Sequence, residues 1–80
     1  GQHIALYPNP TSNDVTIDKG IELSIESIII SDLNGKILET ITEGLEMNSI
    51  KLSFATYETG VYFIKISTPR GQIMNRIVKQ

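Results

Sequence analysis

The stretch Thr59-Gly60-Val61-Tyr62-Phe63-Ile64-Lys65-Ile66-Ser67 decides the fold. It is dominated by β-branched and aromatic residues, which favour a pleated strand over a helix. Val61 and Phe63 would point to one face of that strand, and the even-numbered residues from Tyr62 would point to the other. A strand that is apolar on both faces is usually central in its sheet and covered on each side or nearly so. We therefore predict a central strand here.

A hairpin follows this strand directly. Thr68-Pro69-Arg70-Gly71 is a turn signal, because proline presets one backbone angle and glycine accepts a positive φ. The chain then returns through residues 73–79, which alternate less strictly but stay rich in apolar side chains. This pattern predicts an antiparallel partner strand that lies near an edge of the sheet.

The composition indicates one small globular domain, which we assign to residues 1–80. The chain has 80 residues, of which 40% are hydrophobic and 20% are charged, and it contains no cysteine. The lack of cysteine excludes disulfides, thiolate metal sites and thiol nucleophiles. We interpret Gly1-Gln2-His3 as a disordered or cloning-derived end. No apolar run approaches the ~18 residues needed to span a bilayer, so we expect no membrane insertion.

Charge is distributed unevenly along the sequence. Three lysines accompany nine acidic residues up to Glu58, whereas Lys65, Arg70, Arg76 and Lys79 follow it with no acid. Two interpretations stay open: ordinary solvated faces, or a basic C-terminal hairpin offered to a partner. Nucleic acid is not the expected partner, because the net charge is −2 and no basic stripe is interleaved with aromatic residues.

The rest of the sequence consists of short alternating segments separated by turn residues. The segments are 4–7, 14–18, 27–32, 36–41 and 47–54, and none shows a helical period of useful length. Together they predict an all-β fold, an Ig-like antiparallel β-sandwich of about seven short strands. The residues expected to be buried are Val15, Ile17, Ile28, Ile30, Leu38, Ile50, Leu52, Tyr62 and Ile64.

Two registers compete for the hairpin between the segments 27–32 and 36–41. A two-residue type I′ turn would put Ile30 opposite Glu39. A type I turn starting at Asp32, with Gly35 as a left-handed bulge residue, would put Ile30 opposite Leu38. The second register gives the more apolar inner face, and aspartate suits the first position of a type I turn. We predict the second register.

No catalytic or cofactor motif is found in the sequence. The only histidine is His3, at the end of the chain, and no serine or glycine-rich loop has the context of a nucleophile or a phosphate site. Four side chains could supply oxygen ligands to calcium, but roles in turns explain them more simply; they are Asn9, Asn13, Asp14 and Asp18. We predict a protein that is not an enzyme and that binds no cofactor or metal.

Four motifs in this chain resemble those of one family, the type A C-terminal sorting domains of the type IX secretion system (the Por secretion family). Residues 6–12, Leu-Tyr-Pro-Asn-Pro-Thr-Ser, look like its opening signature. Residues 30–36 resemble its Asp-x-x-Gly-Lys turn, and residues 52–53 with 60–65 resemble its Leu-Ser … Gly-x-Tyr segment. Residues 76–79 resemble its basic-apolar-apolar-Lys ending. Asn13, where the family commonly has glycine, and a longer connection from Ser53 to Gly60 depart from the pattern.

The resemblance implies a biological role as well as a fold. Such domains end large cargo proteins of Bacteroidota that carry an N-terminal export signal. They are recognised in the periplasm by an outer-membrane translocon. A sortase-like peptidase typically removes them, and the cargo is attached to surface lipopolysaccharide or released. We thus expect an exported, monomeric sorting signal that follows a cargo domain, passes through the periplasm, and reaches the cell surface or the medium.

The motifs also point to candidate residues for sorting and recognition, which are Pro8, Asn9, Pro10, Gly35, Lys36, Gly60, Tyr62, Lys65, Arg76 and Lys79. Arg76 and Lys79 lie three residues apart on one strand and should face opposite ways. We expect Lys79 to act together with Lys65, and Arg76 to lie on the other face. As a surface residue, Lys79 should tolerate replacement by glutamate with a stability change of about 0.5 kcal/mol or less.

An alternative function also fits the predicted fold. The same sandwich could serve as a carbohydrate-binding or adhesion accessory module of a secreted protein. Sugar-binding modules usually expose coplanar aromatic rings, and this chain has no tryptophan. The two functions differ in one testable respect, since only a sorting signal is required for export of its cargo.

Overall fold

The computed structural model describes residues 4–20 and 23–80, and these residues form an all-β structure of seven strands. Two antiparallel sheets, with strand orders β1-β2-β5 and β4-β3-β6-β7, make the predicted sandwich. Within the described ranges, no helix is long and apolar enough to cross a membrane. The expectation about residues 1–3 lies outside the described residues. The strands are β1 (Ile4–Tyr7), β2 (Asp14–Lys19), β3 (Ser27–Asp32), β4 (Ile37–Ile41), β5 (Ser49–Ser53), β6 (Gly60–Thr68) and β7 (Gly71–Lys79).

The core lies between the sheets and is built from alternate residues of the strands. Eight of the nine residues that the alternation predicts to be inside are buried, and Leu38 is half-buried against them. Further buried side chains come from the connections between strands, where no period is available to predict them. These are Leu23, Ile25 and Leu45. Phe54, which follows β5 directly, is also buried, as the alternation of residues 47–54 predicts.

β6 is central, as predicted, because it lies between β3 and β7 in the four-stranded sheet. Tyr62, Ile64 and Ile66 are buried against the other sheet. Val61 and Phe63 are only half-buried on the opposite face. Full coverage is therefore found on one face only: the second sheet covers the inner face, and an antiparallel sheet can leave the other partly open to solvent.

The hairpin between β6 and β7 has the predicted two-residue turn. Thr68 pairs with Gly71, which has the expected positive φ of 131°. The Thr68 hydroxyl donates to the Gly71 carbonyl at 2.9 Å and accepts from the Arg70 N–H at 3.2 Å. These bonds fix the register of the longest strand pair in the protein.

The turn between β3 and β4 is also the predicted one. The Gly35 N–H donates to the Asp32 carbonyl at 3.0 Å, which closes a turn that starts at Asp32, and Gly35 has a φ of 86°. The Asp32 carboxylate accepts from the N–H groups of Asn34 and Lys36, both at 2.9 Å. An aspartate in first position thus satisfies the donors of the turn that follows it.

The register beyond this turn differs from the prediction. Ser31 pairs with Ile37 as expected, but a bulge follows and Ile30 pairs with Glu39 instead of Leu38. Leu38 and Ile41 both contact the core, although strict alternation would place residues three apart on opposite faces. One extra residue in β4 resolves this conflict, since a bulge lets both side chains turn inward.

Replacing Gly35 with valine is expected to lower the free energy of unfolding by at least about 1 kcal/mol. Nothing lies within 4 Å of a Cβ placed there, so the cost arises from the left-handed backbone and not from a clash. Gly35→Asn is the matched variant, because asparagine tolerates this conformation better and should retain most of the stability. Urea denaturation followed by circular dichroism compares the two, and equal losses would contradict the backbone explanation.

Candidate functional site

The motifs that are far apart in the sequence meet at one end of the four-stranded sheet. Asp32, the last residue of β3, pairs with Tyr62 near the start of β6, and Tyr62 pairs with Ile77 near the end of β7. The turn that contains Gly35 and Lys36 therefore lies at the same end as the last residues of β7. We call this end of the sheet the motif end.

The segment between β1 and β2 follows the edge of β7 at the motif end. The side-chain amide of Asn9 donates to the Arg76 carbonyl at 2.9 Å, and its oxygen accepts from the Val78 N–H at 3.0 Å. The Thr11 N–H donates to the Val78 carbonyl at 2.9 Å, and the Thr11 carbonyl accepts from the Gln80 N–H at 2.8 Å. The opening motif thus takes the place of a neighbouring strand along the end of β7.

Proline explains why a side chain takes part in this contact. Pro8 and Pro10 have no N–H, so the segment cannot pair as a regular strand, and both of their preceding peptide bonds are cis. The Asn9 side chain supplies a donor and an acceptor in their place. The turn role predicted for Asn9 does not include this contact with β7. Among residues 8–11 only Asn9 and Thr11 have a backbone N–H, but nothing in the sequence links them to a strand 67 residues away.

Replacing Asn9 with alanine is expected to lower the free energy of unfolding by about 1–2 kcal/mol, because two hydrogen bonds to β7 are lost. The freed Val78 amide should also exchange its hydrogen faster in a native-state exchange experiment. Asn48→Ala is the matched control, since Asn48 is exposed and accepts a hydrogen bond through its backbone carbonyl. Unchanged stability together with unchanged exchange at Val78 would contradict the role of the Asn9 side chain in holding the end of β7.

Lys79, a recognition candidate, is a structural residue in the folded protein. It lies on the inner face opposite Gly60 and is only 7% exposed. Its ammonium group donates to the Tyr57 carbonyl at 3.0 Å. The connection from Ser53 to Gly60, where the chain departs from the family pattern, therefore anchors the end of the last strand.

Aromatic rings pack on each other beside Lys79. Tyr57 stacks on Tyr62 with a centroid distance of 5.3 Å. Both rings are nearly perpendicular to Phe54, with centroid distances of 5.1 and 5.7 Å. The Tyr62 hydroxyl donates to the Glu58 carbonyl at 2.6 Å, and the Tyr57 hydroxyl donates to the Glu39 carboxylate at 3.2 Å. Burial, and then the charge of Glu39, raises the pKa of Tyr57. These two tyrosines act in packing and do not form a flat platform for a ligand.

Lys65 and Arg76 lie together on the outer face of the four-stranded sheet. Arg76 pairs with Phe63, and Lys65 pairs with Met74. Met74 precedes Arg76 by two residues on β7, so the two residues have the same facing. The expected placement, with Lys65 and Lys79 together and Arg76 on the other face, is therefore wrong. The buried residues Ile64 and Ile66 fix Lys65 to the outer side, because successive residues of a strand alternate between faces.

Comparison with known families decides the assignment. The family model described as the secretion system C-terminal sorting domain matches residues 5–80. The chain belongs to this family. No curated protein matches the sequence. The resemblance drawn from the four motifs is thus confirmed over nearly the whole chain.

Membership makes this sorting domain a C-terminal signal of the type IX secretion system, which directs a secreted cargo across the outer membrane. The family is one of sorting signals and not of enzymes. Its opening and closing motifs, residues 6–12 and 76–79, are hydrogen-bonded to each other in the fold through Asn9 and Thr11. The fold thus brings the first and last of the four motifs side by side.

The oxygen-bearing side chains near the start of the sorting domain are not gathered around a common point. Both polar atoms of the Asn9 side chain are engaged by β7. Asp14 and Asp18 stand four residues apart on β2, which separates them by about 13 Å along the strand. The part of the chain that the structure describes contains no group of three His, Cys, Asp or Glu side chains able to hold a metal ion.

Proposed function

We propose that the outer-membrane translocon recognises residues 1–80 of this sorting domain as one folded unit, and not as a linear signal in the last strand. The observation that supports this is the hydrogen bonding between the opening motif and the end of β7. Lys79 adds a second anchor through the Tyr57 carbonyl. A last strand held from both sides presents its residues in a fixed geometry only while the whole sandwich is folded.

The proposal extends to the fate of the domain after export. The translocon meets the sorting domain in the periplasm, and a sortase-like peptidase then cuts the chain on the cargo side of β1. The cargo is attached to surface lipopolysaccharide or released. The pairing of all four residues of β1 with β2 supports this position of the cut, because a cut before Ile4 leaves the sandwich intact.

A reporter with an export signal, fused in front of residues 1–80 and produced in a host with the type IX system, tests the proposal. The full fusion should reach the cell surface or the medium, and a fusion without residues 1–80 should stay in the periplasm. A fusion that carries only residues 60–80 should also stay inside. Export of the unfused reporter would overturn the sorting role for this domain. Efficient export by residues 60–80 alone would overturn recognition of the folded unit.

A further inference from the structure

The outer face of the four-stranded sheet carries apolar side chains at several positions where an antiparallel sheet usually presents polar residues to solvent. Two rows of paired residues cross it: Ile37, Ser31, Phe63 and Arg76 form one, and Thr40, Ile29, Lys65 and Met74 form the other. Ile37 and Met74 are each 59% exposed. We define the outer face by Ile29, Ile37, Phe63, Lys65, Met74 and Arg76.

The charges on this face are of one sign. Lys65 and Arg76 are the only charged residues at the outward positions of β3, β4, β6 and β7, all four of which lie within the described residues. They are diagonal neighbours across β6 and β7, which brings their side chains within reach of one binding partner. The outward positions of the other sheet instead include Asp14, Asp18 and Lys51. Asp32 and Glu39, the acidic residues of β3 and β4, pair with the inward residues Tyr62 and Ile30.

We propose that the outer face is a docking surface for a partner protein that presents apolar side chains and carboxylates to Lys65 and Arg76. This inference rests on the proposed function, and it places the partner in the secretion machinery. Phenylalanine, methionine and arginine are enriched in protein–protein interfaces, and all three are present here. Complementary carboxylates would steer the encounter and fix the orientation of the domain.

Two other occupants fit the face less well. An anionic membrane surface gains only about 1 kcal/mol from each nearby cation, so two cations give weak binding. A second copy of this chain, related by a two-fold axis, would place the same cations of both copies in one interface. Like charges brought together in this way oppose association. An acidic and apolar protein surface has neither disadvantage.

Export of the reporter fused to residues 1–80 tests the face directly. The double variant Lys65→Glu/Arg76→Glu should reduce export at least about tenfold, and Met74→Thr should reduce it measurably. The controls are Lys51→Glu/Arg70→Glu and Met47→Thr, which change the same residue types at exposed positions away from the face. Melting temperatures of the purified domains establish that each variant is folded. If Lys65→Glu/Arg76→Glu does not fold, Lys65→Gln/Arg76→Gln is tested in its place.

The results separate this inference from the proposed function. If deletion of residues 1–80 abolishes export but the folded face variants are exported normally, the outer face is not the docking surface, while the sorting role stands. If the deletion has no effect, the sorting role itself fails. Loss of export with both the face variants and their controls would mean that general charge, and not this face, is recognised.

Binding in vitro identifies the class of partner. The purified domain is mixed with outer-membrane vesicles from a strain with the translocon, with vesicles from a strain without it, and with protein-free liposomes of the same lipids. Binding confined to the first vesicles, weakened by salt and lost in Lys65→Glu/Arg76→Glu, supports the proposal. Equal binding to the liposomes would assign the face to lipid. Concentration-dependent dimerisation that the same variant abolishes would assign it to a second copy, and either result overturns the proposal.

Discussion

Replacing Ile64 with alanine is expected to lower the free energy of unfolding by about 2–5 kcal/mol. Ile64 is fully buried on the inner face of β6, where it pairs with Ile30 on one side and Asn75 on the other. Truncation removes buried methyl and methylene groups from the centre of the core and leaves a cavity. A domain of this size has a total stability of about 4–12 kcal/mol, so the loss is a large fraction of it.

Ile37→Ala is the matched control for this prediction, because it makes the same chemical change on the same sheet. Ile37 lies at the outer face and is 59% exposed, so its truncation should cost about 1 kcal/mol or less. Urea denaturation curves measured by far-UV circular dichroism give both values. A loss at Ile64 no larger than the loss at Ile37 would contradict the assignment of the inner face.

Strand alternation and turn chemistry were sufficient to predict most of the fold. The period of two identified the buried faces of β2, β3, β5 and β6 before any contact was known. Glycine and aspartate identified the turn at Asp32–Gly35, because few other residues fit its backbone. The bulge at Leu38 could not be predicted in this way. It depends on whether Leu38 and Ile41 both find space in the core, which is a tertiary contact and not a local preference.

The candidate site was predicted as a set of motifs, but the roles of several residues within it were not. The sequence places Asn9 and Arg76 far apart, so nothing in it indicates that a side-chain amide would bind the edge of β7. The faces of β7 on which Lys79 and Arg76 lie, in contrast, could have been predicted from the sequence. Lys79 has the same strand parity as Ile73 and Ile77, which are apolar and face inward. Arg76 has the parity of Met74 and Val78.

Burial of a lysine is the feature that sequence reasoning most easily misses. Lys79 and Lys19 are 7% and 5% exposed, and each ammonium group donates to a backbone carbonyl, at Tyr57 and Leu23 respectively. A long aliphatic stem lets lysine cover apolar surface while its charged end reaches a polar group. The acceptor in each case belongs to a connection between strands, whose path the sequence does not reveal.

Replacing Lys79 with glutamate is therefore expected to lower the free energy of unfolding by about 3–5 kcal/mol, as when one partner of a buried charged contact is removed. The carboxylate cannot donate to the Tyr57 carbonyl, and its own charge is left in a nearly closed site. The earlier expectation of about 0.5 kcal/mol, which assumed a surface residue, is replaced by this value. Lys79→Met keeps the length of the side chain and loses only the donor and the charge, so it should cost about 1–3 kcal/mol.

Lys65→Glu is the control that separates folding from recognition at these two lysines. Lys65 lies on the outer face of the same sheet. Reversing its charge should therefore change the free energy of unfolding by about 0.5 kcal/mol or less, although it should impair docking. Lys79→Glu should impair export only as far as it unfolds the domain. Denaturation curves and reporter export measured for both variants distinguish the two effects. Equal stability losses at the two positions would show that Lys79 is not held inside the sandwich, and a folded but unexported Lys79→Glu variant would return Lys79 to the recognition surface.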